Sequence, residues 1–270
     1  MFTENTAVLN HDALGNGYHL LKLKSQKIAP AVRPGQFVHL RVPDLGEAVL
    51  RRPFSVFRTD ADTLTILYRE VGVGTRRMRH LRVGDQVNLV GPLGRGFPSI
   101  APGKFPVLVA GGYGLAALYM TAARAPAPGL LCVGGATDRD ILCLDDFEQL
   151  NWETRVATED GSMGEKGLVT DILAHWLDTE AANHTPEIYA CGPIGMLRAV
   201  SNLTGKLGYQ TWVSMDRNMG CGLGACLACV QKVRKREADG TETWQWARIC
   251  SEGPVFDARD IIWTETSDHA

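Results

Sequence analysis

The sequence predicts a multi-domain chain. An N-terminal antiparallel β-barrel is followed by a central α/β unit built on a parallel sheet, then by a small C-terminal cysteine-rich segment. Three observations carry this expectation. Apolar residues alternate with period two in short segments of the first hundred residues. Strand, glycine-rich turn and helix patterns then follow one another from Phe105. Four of the seven cysteines crowd the last fifth of the chain. The expected boundaries are 1–101, 102–210 and 211–270.

The 270 residues suffice for two domains and an appendage, and 45% hydrophobic against 21% charged content allows a sizeable core. A formal net charge of −2 gives no reason to expect a nucleic-acid partner. The opening MFTENTAVLN shows neither a basic nor an apolar leader region, and no apolar run approaches the roughly 20 residues that span a bilayer. A cytoplasmic protein with reduced thiols and no membrane association is expected.

In the first unit, GQFVHLRVP puts Val38, Leu40 and Val42 on one face and Phe37, His39 and Arg41 on the other. TLTILYRE repeats the pattern with Leu64, Ile66 and Tyr68, and QVNLVGPLG ends in turn residues. RRPFSV suits a flavin-binding barrel. Arg52 would neutralise a pyrophosphate, Phe54 would pack by the isoalloxazine or ribityl chain, and Ser55 would hydrogen-bond the ring. LYREVGVGT adds Tyr68, Arg69, Gly74 and Thr75. Either motif alone also fits a surface arginine or an ordinary turn; their order, upstream of a nucleotide-binding unit, is what points to a flavin.

In the second unit, FPVLVAGGYGLAAL reads as a buried strand, then Gly111, Gly112 and Gly114 at a turn, then a helix whose first N–H groups could meet a pyrophosphate. The competing reading is glycine used only for strand–helix packing. YACGPIGML ends another strand at Cys191-Gly192-Pro193, which puts a thiol near a nicotinamide or makes Cys191 a buried structural cysteine. Asp138 and Asp140 close a third strand, where acidic groups favour NAD over NADP.

In the third unit, NMGCGLGACLACV spaces its thiols as Cys221-x4-Cys226-x2-Cys229, and Cys250 stands alone downstream. This is the plant-type ferredoxin spacing for a 2Fe–2S cluster. Glycine and alanine between the ligands let the backbone wrap closely and turn N–H groups toward sulfur. A structural zinc site and a Cys226/Cys229 redox pair are the alternatives. Zinc sites usually show two paired knuckles, and a redox pair leaves Cys221 and Cys250 unexplained. The insert QKVRKREADGTETWQWARI reads as a hairpin turning at Asp239-Gly240.

Together these segments, with GPLGRGF, ATEDGSMGEKGLVTDIL and ARICSEGPVFDARDIIW, resemble the electron-transfer subunits of the NAD-linked (class 1B) dihydroorotate dehydrogenases, within the ferredoxin–NADP reductase-like superfamily. The likeness covers nearly the whole chain. It implies FAD at Arg52, Pro53, Phe54, Ser55, Leu67, Tyr68, Arg69, Gly74 and Thr75, and cluster ligation by Cys221, Cys226, Cys229 and Cys250. It also implies an FMN-containing catalytic subunit that oxidises dihydroorotate in pyrimidine (UMP) biosynthesis, assembled two plus two with this chain. Two departures fall at the dinucleotide site. The family's glycine-rich turn begins with a third glycine and carries a proline, where this chain has Ala110, Tyr113 and Ala117; and Thr137 replaces an arginine.

Electron counting gives the expected chemistry. A nicotinamide exchanges two electrons as hydride, a 2Fe–2S cluster carries one, and a flavin does both. No catalytic acid or base is expected in this chain, and it should not oxidise dihydroorotate alone. Two further functions suit the same residues: a flavin–cluster reductase serving a ferredoxin or a hydrogenase, and a zinc-binding regulatory module with a degenerate nucleotide site.

Overall fold

The computed structural model describes residues 1–43, 46, 50–237 and 239–263. Its first six strands are β1 (Phe2–Gly15), β2 (Tyr18–Lys24), β3 (Phe37–Arg41), β4 (Arg52–Asp60), β5 (Thr63–Arg69) and β6 (Gln86–Leu93), with a short helix α1 (Val73–Met78) before β6. They close into a barrel in the order β1-β2-β5-β4-β3-β6, with antiparallel pairing throughout. Closure needs one long strand: β1 pairs with β6 through its first half and with β2 through its second. The period-two residues Val38, Leu40, Val42, Leu64, Ile66 and Tyr68 fill the interior beside Leu21, Leu23, Val56 and Leu89.

The other face of β3 is not all solvent. Arg41 is exposed, but Phe37 and His39 are buried, because the rest of the molecule packs on that side of the barrel. Alternation finds the two faces of a strand; it does not say that one of them meets water.

The remaining strands are β7 (Phe105–Gly111), β8 (Leu130–Gly135), β9 (Glu153–Thr158), β10 (Glu165–Lys166), β11 (Pro186–Cys191), β12 (Gln210–Ser214), the hairpin β13 (Val230–Arg236) and β14 (Glu242–Arg248), and β15 (Val255–Asp257). The helices are α2 (Leu115–Ala123), α3 (Leu144–Glu148), α4 (Val169–Thr179) and α5 (Ile194–Lys206). Seven strands form a sheet in the order β10-β9-β8-β7-β11-β12-β15, parallel except for β15. Its central strands read as unbroken apolar runs because both faces are covered by helices or by the barrel. Helix α2 ties the two units together: Ala116 packs with Tyr18, Phe57, Leu67 and Leu142, and the Tyr119 ring meets Phe57 at a tilt, centroids 4.8 Å apart.

The cysteine-rich segment is woven into this sheet. Strand β12 precedes it and β15 follows it, so the expected boundary at 210/211 falls at the start of a sheet strand. Arg95 N–H donates to Gly253 O at 2.5 Å and pins the segment's end to the barrel. One apolar core runs from Phe37 and Leu93 of the barrel through Val213 of the sheet to Cys229, Ala247, Ile249 and Cys250. The insert is the hairpin expected, with Asp239-Gly240 in its tip; Ala238 lies outside the described residues. Among the described residues no helix is long and apolar enough to cross a membrane.

Candidate functional site

A cleft of about 1300 Å³ opens between the barrel and the C-terminal edge of the parallel sheet, where open α/β folds bind ligands. Of the cofactor residues expected from the sequence, all but Asp138 line it. The barrel contributes Arg52, Pro53, Phe54 and Ser55 from β4, Leu67, Tyr68 and Arg69 from β5, and Gly74 and Thr75 from α1. The sheet contributes Gly111, Gly112 and Gly114 after β7, and Cys191, Gly192 and Pro193 after β11.

Local chemistry fixes the barrel wall. Thr75 Oγ1 accepts from Val71 N–H at 2.8 Å and Gly72 N–H at 3.0 Å, which locks the turn entering α1. The Arg52 side chain lies against that turn, with its Nε 2.9 Å from where a Cβ on Gly74 would stand. Phe54 meets Tyr68 edge to face at 5.9 Å. Tyr68 shares a hydrogen bond of 2.9 Å with His11 Nε2 and stacks on His19, and its burial pushes the phenol's pKa upward. The guanidinium of Arg69 sits over the Tyr18 ring at 4.9 Å and 3.8 Å from Asp140.

On the sheet side the two turns touch. A Cβ on Gly114 would lie 2.3 Å from Cys191 O, so only glycine lets them meet. Of the four departures from the family pattern, Tyr113 lines the cleft and Ala110, Ala117 and Thr137 do not. Ala110 and Ala117 are buried in the sheet core. Thr137 caps the turn at 138–140, its Oγ1 accepting from Arg139 N–H at 3.2 Å. Asp140 is committed to the protein: its carboxylate accepts from Tyr18 OH at 2.9 Å and Asn16 Nδ2 at 3.1 Å. Asp138 is exposed outside the cleft wall.

Other lining residues were not among the expected cofactor residues. Tyr113 projects into the cleft with its phenol pushed up to about 12, by desolvation first and then by the charges of Asp216 and Cys191. Desolvation also raises the Asp216 carboxyl. Residues Met215 to Met219 form the cleft wall nearest the cysteines, and Cys221 follows two residues later. The position of Asp216 two residues before NMGCG was the one signal that could have flagged it.

Around the cysteines the backbone turns its donors toward sulfur. Cys221 Sγ accepts from the N–H groups of Leu223 and Ala225 at 3.3 Å and Cys226 at 3.4 Å. Those donors, Leu223 first, draw its pKa down to about 6. Cys226 Sγ accepts from Cys221 N–H at 3.4 Å, Cys229 Sγ from Cys250 N–H at 3.4 Å, and Cys250 Sγ from Gly224 N–H at 3.1 Å. The sulfurs thus fall into two pairs, Cys221 with Cys226 and Cys229 with Cys250. Two pairs suit two metal ions sharing one loop. Among the described residues no three His, Cys, Asp or Glu side chains group around a single ion position. The inner pair is buried and Cys226 is exposed. Arg248 braces the loop, donating from Nη1 to Gly224 O at 3.3 Å and from Nε to Glu252 at 2.7 Å.

Comparison with known proteins agrees with this layout. Residues 216–262 match the iron-sulfur cluster binding domain of dihydroorotate dehydrogenase B, and residues 108–202 match the oxidoreductase NAD-binding domain. The subunit named dihydroorotate dehydrogenase B (NAD(+)), electron transfer subunit, from Fusobacterium nucleatum is 35% identical, over 97% of this chain and 99% of that protein. Its counterpart from a Geobacillus species is 34% identical over the same shares. Among solved structures, an NADH-dependent reduced ferredoxin-NADP oxidoreductase superposes with a TM-score of 0.80 at 26% identity, covering 96% of this chain and 90% of that one. A Neisseria gonorrhoeae ferredoxin NADP+ reductase with bound FAD and NADP shares the fold, with a TM-score of 0.65 at 18% identity over 80% and 94% of the two chains. Full-length identity, matching domains and a shared fold make one conclusion: the chain belongs to the family of electron-transfer subunits of dihydroorotate dehydrogenase B.

Proposed function

We propose that this chain is an oxidoreductase subunit that passes electrons between an FMN-containing dihydroorotate dehydrogenase subunit and NAD, in pyrimidine biosynthesis. One observation carries the reading: a single cleft gathers the flavin and nicotinamide residues, and its wall runs straight into the four-cysteine loop. When bound, FAD exchanges hydride with NAD and single electrons with a 2Fe–2S cluster, so the pair converts between two-electron and one-electron currency. The chain's residues bind, orient and insulate. Arg52 neutralises phosphate and Phe54 and Tyr68 wall the flavin. Gly111 to Gly114 and Cys191 to Pro193 admit the dinucleotide, and Cys221, Cys226, Cys229 and Cys250 hold the cluster. The units 1–101, 102–210 and 211–270 then correspond to FAD, NAD and cluster. Arg52→Ala is expected to weaken FAD retention. A charge-assisted contact contributes about 1.5–3 kcal/mol, roughly a 10- to 150-fold change in Kd, read from the flavin remaining after gel filtration.

The partner is an FMN-bearing barrel subunit, assembled two plus two. A barrel of that kind takes about 250 residues, and this chain's length is already occupied by its own sites. A ferredoxin-linked reductase is the second reading, favoured by the likeness to the ferredoxin-NADP oxidoreductase. Reconstitution separates them. With its catalytic partner the chain should form NADH from dihydroorotate and NAD+, and alone it should form none. Turnover of dihydroorotate by the chain alone contradicts the reading, as does a partner requirement met only by ferredoxin.

A further inference from the structure

His39 is the most anomalous side chain outside the cleft. It lies on β3 with 1% of its surface exposed, and among the described residues neither ring nitrogen has a hydrogen-bond partner. Buried polar side chains almost always have partners, so two orphaned nitrogens on one ring call for a partner beyond the described residues. Burial, reinforced by the Arg51 charge, pushes its pKa down to about 4. At neutral pH the ring therefore carries one N–H donor and one bare nitrogen.

Its surroundings narrow the identity of the missing partner. The ring presses on Gly222, the residue after Cys221. A Cβ there would lie 2.4 Å from His39 Cε1 and 2.5 Å from Nδ1, and Gly222 holds φ +69, a conformation that favours glycine. His39 also meets Phe37 edge to face at 5.9 Å, and Phe37 lines the cofactor cleft. Arg51, the nearby cation, has donors only and offers nothing to an N–H. The backbone N–H groups of Leu223, Gly224, Ala225 and Cys226 in the same loop all point at sulfur. The position is thus a donor-bearing ring in contact both with a residue of the cofactor cleft and with a loop organised around sulfur acceptors.

We propose that His39 donates a hydrogen bond to the sulfur shell of the iron–sulfur cluster held by Cys221, Cys226, Cys229 and Cys250, and so sets the cluster's potential relative to the flavin. The inference rests on the function proposed above. A donor to cluster sulfur stabilises the more negative, reduced state and raises the potential. His39 acts on the cluster's sulfur directly and touches no substrate.

The test uses the full chain loaded with FAD and cluster. In His39→Phe the ring shape is kept and the donor removed; in His39→Gln a donor is kept. An EPR-monitored redox titration of His39→Phe should shift the cluster's equilibrium with a fixed mediator about tenfold toward the oxidised form, which is 59 mV for one electron. His39→Gln should recover most of that shift, with iron and FAD content unchanged in both. Pulsed EPR of reduced wild-type chain carrying ¹⁵N-histidine should show a nitrogen coupling that His39→Gln abolishes, a readout independent of whether His39→Phe folds. A His39→Phe potential within about threefold of wild type on that equilibrium scale, or no ¹⁵N coupling in the wild type, overturns the proposal. Either result in iron-loaded protein defeats His39's role alone, whereas absence of iron defeats the electron-transfer reading itself.

Discussion

Cys229→Ser yields a chain that keeps its FAD but loses its iron, and with it one-electron transfer. Cys229 is 2% exposed, sits in the core shared by barrel, sheet and hairpin, and its Sγ accepts from Cys250 N–H. A serine there offers a harder oxygen, poorly matched to iron–sulfur chemistry, at a position that cannot shift without disturbing Ala247 and Ile249. Changes outside the ligand shell already cost 10- to 100-fold in metal affinity; losing a ligand should cost at least ~100-fold. The flavin should be spared, because Cys229 does not line the cleft. NADH should still bleach the FAD, while electron delivery to or from a one-electron partner falls to background. Iron and sulfide assay, with NADH titration of the flavin, reads both halves. A variant that keeps iron and full one-electron transfer contradicts the ligand assignment.

Gly114→Val breaks the other end of the path. Its Cβ would stand 2.3 Å from Cys191 O, 2.6 Å from Cys191 C and 2.9 Å from Gly192 Cα. All three atoms are backbone of the opposing turn, so no side chain can swing away and the two turns must part. Overpacking of this kind costs about 1–3 kcal/mol. If that cost falls on the dinucleotide site, NADH binding weakens roughly 5- to 150-fold. FAD and iron content should stay at wild-type levels, since the barrel wall and the cysteine loop are separate from this contact. Titration with NADH, following flavin bleaching, measures the shift. Unchanged NADH affinity means the touching turns do not shape the nicotinamide site.

What the sequence disclosed follows from the range of the forces involved. Period-two alternation in GQFVHLRVP and TLTILYRE exposed the barrel interior, because adjacent side chains on a strand point to opposite faces. The cysteine spacing exposed the loop, because ligand geometry is local in sequence. Neighbours far apart in the chain were hidden. Asp140 read as a dinucleotide-facing acid and does line the cleft, but its carboxylate is held by Tyr18 and Asn16, more than a hundred residues away. His39 read as an outward-facing residue, and only packing against Gly222 shows it buried. The segment after Thr211 read as an appendage, but the antiparallel register of Trp212 to Ser214 with Val255 to Asp257 makes it part of the central sheet. Ala110, Ala117 and Thr137 read as changes at the dinucleotide site, and three-dimensional position puts them behind its wall.

The most direct measurement is the cofactor content of the anaerobically purified chain, by iron and acid-labile sulfide assay, flavin extraction and EPR after reduction. Two irons, two sulfides and one FAD per chain, with the signal of a reduced 2Fe–2S centre, are the predicted result. A chain that binds zinc in place of iron, or that holds four free thiols and no sulfide under the same conditions, would contradict the account.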